Sequence, residues 1–255
     1  MAGIIEKIKG VFEEKIDPDW ECPELMYGFT VTYHAGCMGE KANSLESVSE
    51  YIFHGAKCIE LDVSFQPDGT PVIIHESEPT FKQGESLDMA LKIIAGSRKC
   101  KINLDLKSVK NLPAIDALVH EYNLKERVFY TGVGEEWVPI VKQNSFIPFY
   151  LNHLITPEEV NDRDIGKALV EKVKAMGAIG VNSKYEKNCS AQLIKMMHRR
   201  DLYVSYWTVN SPSIARDLVT CEVDNITSMN PKLLERQIYG EVEDIGNMSV
   251  FGEEG

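Results

Sequence analysis

The sequence predicts a (β/α)8 TIM barrel with an antiparallel hairpin extending from its second strand. Three observations lead there. Apolar strand-like runs alternate with helical patterns along most of the chain, the signature of a parallel sheet with helical crossovers. Nine such runs occur, and two of them lie too close together for a crossover to join them. The length, 255 residues, is that of one barrel.

The strand-like runs fall at 30–33, 58–65, 72–75, 101–106, 127–131, 147–151, 178–181, 202–208 and 225–227. Helical patterns fall at 43–54, 112–120, 135–143, 157–176, 191–200 and 212–218. Only Gln66-Pro67-Asp68-Gly69-Thr70-Pro71 separates the second run from the third. A parallel crossover needs a dozen residues or more, so these two runs form a hairpin. Asp68-Gly69 is a favoured two-residue turn. It sets Pro67 against Thr70 and His75 against Asp62, and places Glu60, Asp62 and His75 on one face. Without the hairpin's return arm, eight strands remain.

The ends read differently. Ile4, Ile5, Ile8, Val11, Phe12 and Ile16 recur at helical spacing, with acids and lysines mixed on the polar face. Residues 1–24 therefore read as a helical extension packed on a barrel over 25–238. Residues 239–255 are rich in glycine and acid and read as a loosely ordered tail. The chain shows no repeat or low-complexity linker, which points to one domain.

Composition narrows the function. With 44% hydrophobic and 26% charged residues the chain is globular, not disordered. A net charge of -12 argues against a nucleic-acid or anionic-membrane partner. No apolar run reaches membrane-spanning length, so no transmembrane segment is expected. The N-terminus lacks the pattern of a signal peptide, and the expected compartment is the cytoplasm. Six scattered cysteines without C-x-x-C spacing read as free thiols. Oligomeric state is not legible.

The chemistry concentrates near strand C-terminal ends, where barrel enzymes keep their sites. His34 follows the first strand, Glu60 and Asp62 alternate in the second, and Asp105 and Lys107 alternate in the third barrel strand. Alternation sends each pair one way, into the barrel if Ile59, Leu61, Leu104 and Leu106 face the helices. Buried charges need a partner. Glu60, Asp62 and Asp105 make an all-oxygen set suited to one hard divalent cation, Mg2+ or Ca2+. A buried ion-pair network, Lys107 with Asp105 or Glu60, is the competing reading. His34 and His75 tilt the balance towards a reactive centre, because histidine is the usual acid–base group near neutral pH.

These residues carry a resemblance. The chain reads His34-Ala35-Gly36, Ala42-Asn43-Ser44, Gly55-Ala56, Glu60-Leu61-Asp62-Val63, Asp68-Gly69 and Val72-Ile73-Ile74-His75-Glu76. Asn103-Leu104-Asp105-Leu106-Lys107, Trp207-Thr208-Val209-Asn210 and Val223-Asp224-Asn225-Ile226-Thr227 follow in order. The set resembles the glycerophosphodiester phosphodiesterase family, with a relation to sphingomyelinase D-like phospholipases. The resemblance implies a barrel that hydrolyses small glycerophosphodiesters to glycerol 3-phosphate and an alcohol. It places the metal carboxylates on Glu60, Asp62 and Asp105, the catalytic histidines on His34 and His75, and the site lysine on Lys107.

Departures are visible too. Ala35 stands where the family has arginine, the third carboxylate is the shorter Asp105, and the segment from His75 to Asp105 is too short for a capping insertion. These features keep two alternatives open: a phosphorus–oxygen lyase acting on lysophospholipids to give a cyclic phosphate, and a catalytically weak phosphodiester-binding barrel. Three further residues are substrate-binding candidates. Trp207 could stack on substrate or sit in the core, and the resemblance favours the pocket. Asn43 caps the first helix and also stands near the metal set. Lys184 is a candidate phosphate contact.

Overall fold

The computed structural model describes residues 16–240. The amphipathic pattern of residues 4–15 and most of the acidic tail therefore lie outside the described residues. The first barrel unit is β1 (Thr30–Tyr33) followed by α1 (Leu45–Phe53). The second is β2 (Cys58–Phe65), a two-strand excursion β3 (Pro71–Ile73) and β4 (Glu85–Ser86), and α2 (Leu87–Ala95). Then come β5 (Lys101–Leu106), α3 (Leu112–Glu121), β6 (Val128–Val133), α4 (Val138–Asn144) and β7 (Phe149–Asn152). The helices α5 (Pro157–Asn161) and α6 (Arg163–Met176) precede β8 (Gly180–Lys184) and α7 (Ala191–His198). The chain closes with β9 (Tyr203–Trp207), α8 (Pro212–Thr220), β10 (Asn225–Ser228) and α9 (Pro231–Tyr239).

Eight strands pair in parallel in the order β1-β10-β9-β8-β7-β6-β5-β2, and β1 pairs back onto β2. The barrel is closed, so β3 and β4 form an antiparallel appendage on β2 and not part of the wall. Among the described residues no helix is long and apolar enough to cross a membrane.

Two expectations need correction. The hairpin turn has three residues, not two. Gln66 N donates to Thr70 O at 2.9 Å and Phe65 pairs with Pro71, which leaves Pro67, Asp68 and Gly69 as the turn. Gly69 has φ +89°, the left-handed geometry of a three-residue loop. The register moves by one residue, and Ile74, not His75, bonds to Asp62: Ile74 N donates to Asp62 O at 2.9 Å. The helix read at 157–176 is also divided. Asp162 interrupts it with extended backbone and caps α6, its Oδ1 accepting from Asp164 N at 2.8 Å. The helices α2 and α9 were not anticipated, although Leu87, Ala90, Leu91 and Ile94 carry helical spacing and Ser86 caps them.

The wall and helices share one apolar cluster, including Ile59, Leu61, Ile102, Leu104, Val204 and Ile226 against Leu91, Ile115, Val173, Ile194, Leu218 and Leu234. A hydroxyl and amide network runs between neighbouring strands. Asn225 Oδ1 accepts from Thr30 at 2.7 Å and Thr32 at 2.6 Å, while Asn225 Nδ2 donates to Ser205 Oγ at 2.9 Å. Every such bond offsets the cost of burying a polar group.

Gly132 lies where the β6–β7 register shifts, with φ +74°. A Cβ there would stand 2.4 Å from Leu106 O and 3.0 Å from Asp105 Oδ1. Gly132→Ala should therefore lose about 2 kcal/mol or more of stability, through backbone strain and collision. Urea denaturation checks this, and an unchanged midpoint would contradict it.

Candidate active site

The site is built on β2 and β5. Their parallel register sets Glu60 beside Asn103 and Asp62 beside Asp105. Glu60, Asp62 and Asp105 are the set of potential metal-ligating side chains found among the described residues. One carboxylate oxygen from each lies within 4.8 Å of the others. Glu60 and Asp62 are buried, at 7% and 5% exposure.

Each group has a keeper except one. Asn43 Nδ2 donates to Asp62 Oδ2 at 2.7 Å, and Asp62 N donates to Asn43 Oδ1 at 2.9 Å. Asn43 thus completes the strand edge beyond the last residue of β1. The cap of α1 is instead Ser44, whose Oγ accepts from Ser47 N at 3.1 Å, which corrects the capping role expected of Asn43. Thr131 Oγ1 lies 2.8 Å from Asp105 Oδ1 and 2.7 Å from Asn103 Oδ1. Lys107 Nζ pairs with Asp62 Oδ1 at 3.0 Å and also with Asp105. Its burial works against its charge, but Asp105 and Asp62 outweigh that and hold its pKa above the ordinary value. Glu60 Oε2 is buried and has no hydrogen-bond partner. Burial first, then Asp105 and Asp62, push the Glu60 pKa well up, with Lys107 and the Ala35 N–H pulling the other way.

The charge count decides what the cluster can accept. If all three carboxylates ionise, the one ammonium leaves two negative charges in a buried place. A divalent cation would cancel them, and the orphaned Glu60 oxygen is a free ligand atom. The donor set is all oxygen, which suits a hard cation.

The histidines approach along one edge of β2. On that edge Tyr33 pairs with Ile59, while Ile74 bonds to Asp62. His34 continues upward from Tyr33 and His75 continues downward from Ile74, so the two backbones converge at the level of Glu60 and Leu61. His34 Nδ1 lies 3.8 Å from Glu60 Oε2 and 2.7 Å from Ala35 O. His75 is exposed and lies beyond the end of β3.

The remaining candidates stand apart. Lys184 and Trp207 are paired in register at the ends of β8 and β9, across the barrel from β2. Trp207 is half-buried, and its Nε1 has no partner. Lys184 is exposed, and its ammonium is taken by Glu186 at 2.9 Å. Sequence reasoning missed Thr131, Asn103 and the Ala35 N–H, which matter only through cross-strand register or backbone direction.

The family model described as "Glycerophosphoryl diester phosphodiesterase family" matches residues 80–233, more than half of the chain. The chain belongs to this family. Its members are phosphoric diester hydrolases, and so is this enzyme. Asp105, Lys107, Lys184 and Trp207 fall inside the matched span, whereas His34, Asn43, Glu60, Asp62 and His75 precede it. No curated protein sequence matches the chain. Solved structures share the fold. A Silicibacter pomeroyi DSS-3 protein named for the same family is 20% identical, with a TM-score of 0.69 over 85% of this chain and 94% of its own. An Oleispira antarctica phosphodiesterase, solved with the product sn-glycerol-3-phosphate, is 18% identical, with a TM-score of 0.69 over 84% and 98%. A Parabacteroides distasonis ATCC 8503 glycerophosphodiester phosphodiesterase is 18% identical, with a TM-score of 0.65 over 83% and 97%.

Two measurements test this geometry. Asn43→Ala strands the Asp62 N–H and should lower stability by about 1–3 kcal/mol; a loss below that range in denaturant would show that water replaces the amide. The raised Glu60 pKa favours its neutral form in the folded, metal-free protein. That stabilisation is full below the ordinary carboxylate value, about 4.3, and fades as pH rises through the folded value. The melting temperature of chelated protein should fall across that window more steeply than that of Glu60→Gln, and matching slopes would refute the assignment.

Proposed function

We propose that this enzyme hydrolyses small glycerophosphodiesters to glycerol 3-phosphate and an alcohol, using one divalent cation, Mg2+ or Ca2+, and two histidines. The observation that carries the reading is the convergence of three buried carboxylates, one oxygen of them unpartnered, beside His34 at the C-terminal end of the barrel.

Glu60, Asp62 and Asp105 would hold the cation, which supplies charge neutralisation for the phosphodiester and for the charge that grows in its transition state. Lys107, steered by Asp62 and Asp105, adds a second positive charge beside the phosphoryl oxygens. The short Nδ1 contact to Ala35 O fits a proton on Nδ1, which leaves Nε2 as the basic nitrogen. His34 then takes a proton from the attacking water. His75, exposed beyond the end of β3 on the same edge, gives a proton to the departing alkoxide. Across the mouth, Trp207 offers an aromatic face to the leaving group. Lys184, paired at the surface with Glu186, is a candidate phosphate contact on the same side of the mouth as Trp207.

Phosphorus NMR on glycerophosphocholine, glycerophosphoethanolamine and a lysophospholipid tests the proposal. The expected outcome is glycerol 3-phosphate from the glycerophosphodiesters, abolished by chelator and restored by added cation. His34→Ala and His75→Ala should each lose about 100-fold or more in kcat, the usual contribution of a general acid or base. A persistent cyclic phosphate would replace hydrolysis by the lyase reaction. Activity that survives chelation would remove the cation from the scheme.

A further inference from the structure

The end of the barrel opposite the carboxylates is also open. A cavity of about 280 Å³ lies there, lined by residues at the starts of β1, β5, β6, β7, β9 and β10. Lys101, which borders it, begins β5 and stands four residues before Asp105, roughly 13 Å along the strand. The cavity is therefore separate from the site of the proposed hydrolysis. That end of a barrel usually serves stability, but this one has the size of a small ligand pocket.

Local sequence keeps it open. Tyr150, Gly180 and Tyr203 stand side by side in register on β7, β8 and β9. The middle strand thus sends no side chain between the two tyrosines. A Cβ on Gly180 would stand 2.0 Å from Tyr203 O, so the close approach of β8 to β9 requires that glycine. Phe129 of β6 meets the Tyr150 ring edge-on, with centres 5.4 Å apart. Tyr150 is buried, and among the described residues its hydroxyl has no hydrogen-bond partner.

Basic groups border these rings. Lys101 and Arg127 are half-buried on the same cavity. Lys101 Nζ reaches Gly28 O at 3.5 Å, and Arg127 Nη1 donates to Ser97 O and Cys100 O. Among the described residues neither cation pairs with a carboxylate. Two acids also line the cavity. Glu126 is exposed, where solvent and salt screen it. Asp224 Oδ2 accepts from Val204 N at 2.7 Å and lies 3.0 Å from His198 Nε2, and burial pushes its carboxyl pKa up. Unpaired cations beside aromatic rings suit a flat anion, since the rings take an aromatic body and the cations its charge.

We propose that this cavity binds a small aromatic carboxylate, with its ring against Phe129, Tyr150 and Tyr203 and its charge towards Lys101 and Arg127. Isothermal titration of the full chain with benzoate tests this. One site is expected, with a dissociation constant of about 1 mM or tighter, which is within reach of a ligand this small. Benzamide, of the same shape without the charge, should bind at least about tenfold more weakly, as should benzoate to Lys101→Met. Tyr203→Ala removes a ring that is 47% exposed and should weaken benzoate about threefold or more. Lys107→Met, at the other end of β5, should leave the affinity unchanged. Absence of binding, equal affinity for benzamide, or binding lost in Lys107→Met but kept in Lys101→Met would overturn the proposal. The comparison of benzoate with benzamide on the wild-type chain decides the matter even if a variant fails to fold.

Discussion

The side-by-side placement of Asp62 and Asp105 governs this molecule. Parallel pairing of β2 with β5 leaves the two carboxylates neighbours in a buried wall, with Glu60 one step below. Like charges so close repel unless something positive stands between them. Lys107 does so in part, since it reaches both aspartates. The remaining imbalance falls on Glu60, whose carboxyl resists ionisation and whose Oε2 is unbonded. The site is therefore arranged around a positive charge larger than one lysine can provide, and the residues around it serve that end. Asn43 fixes Asp62, Thr131 fixes Asp105, and Gly132 clears the space beside Asp105.

The hydroxyl and amide network shows how a barrel can accept such a centre. A barrel filled with branched apolar side chains would leave carboxylates at its mouth without polar neighbours. Here Thr30, Thr32, Asn225 and Ser205 bond to one another, and Asn103 and Thr131 extend the polar layer to Asp105. The stability of the fold rests instead on the layer between strands and helices, where the apolar cluster lies. The binding chemistry and the main hydrophobic driving force thus occupy opposite sides of the same strands.

Much of this could be read from the sequence. The eight wall strands were legible because each is a short apolar run with turn signals at its ends. The carboxylate set was legible because alternation in Glu60-Leu61-Asp62 and Asp105-Leu106-Lys107 is local. What failed was non-local or one residue too fine. Asp68-Gly69 is compatible with a two-residue or a three-residue turn, and the left-handed Gly69 selects the longer one. Asn43 resembles a helix cap, and only tertiary contact shows that it completes the edge of β2.

The shared edge of β2 has a consequence for how this enzyme could change. β1 ends and β3 begins on one border of one strand, so the two histidines enter from opposite chain directions at a common seam. The loop at 66–70 points away from that seam, beyond the end of the wall. Its length can vary without moving either histidine, because the pairings on β2 set their positions. The tip can therefore be remodelled independently of the histidines, whose backbone positions are fixed lower on the same strand.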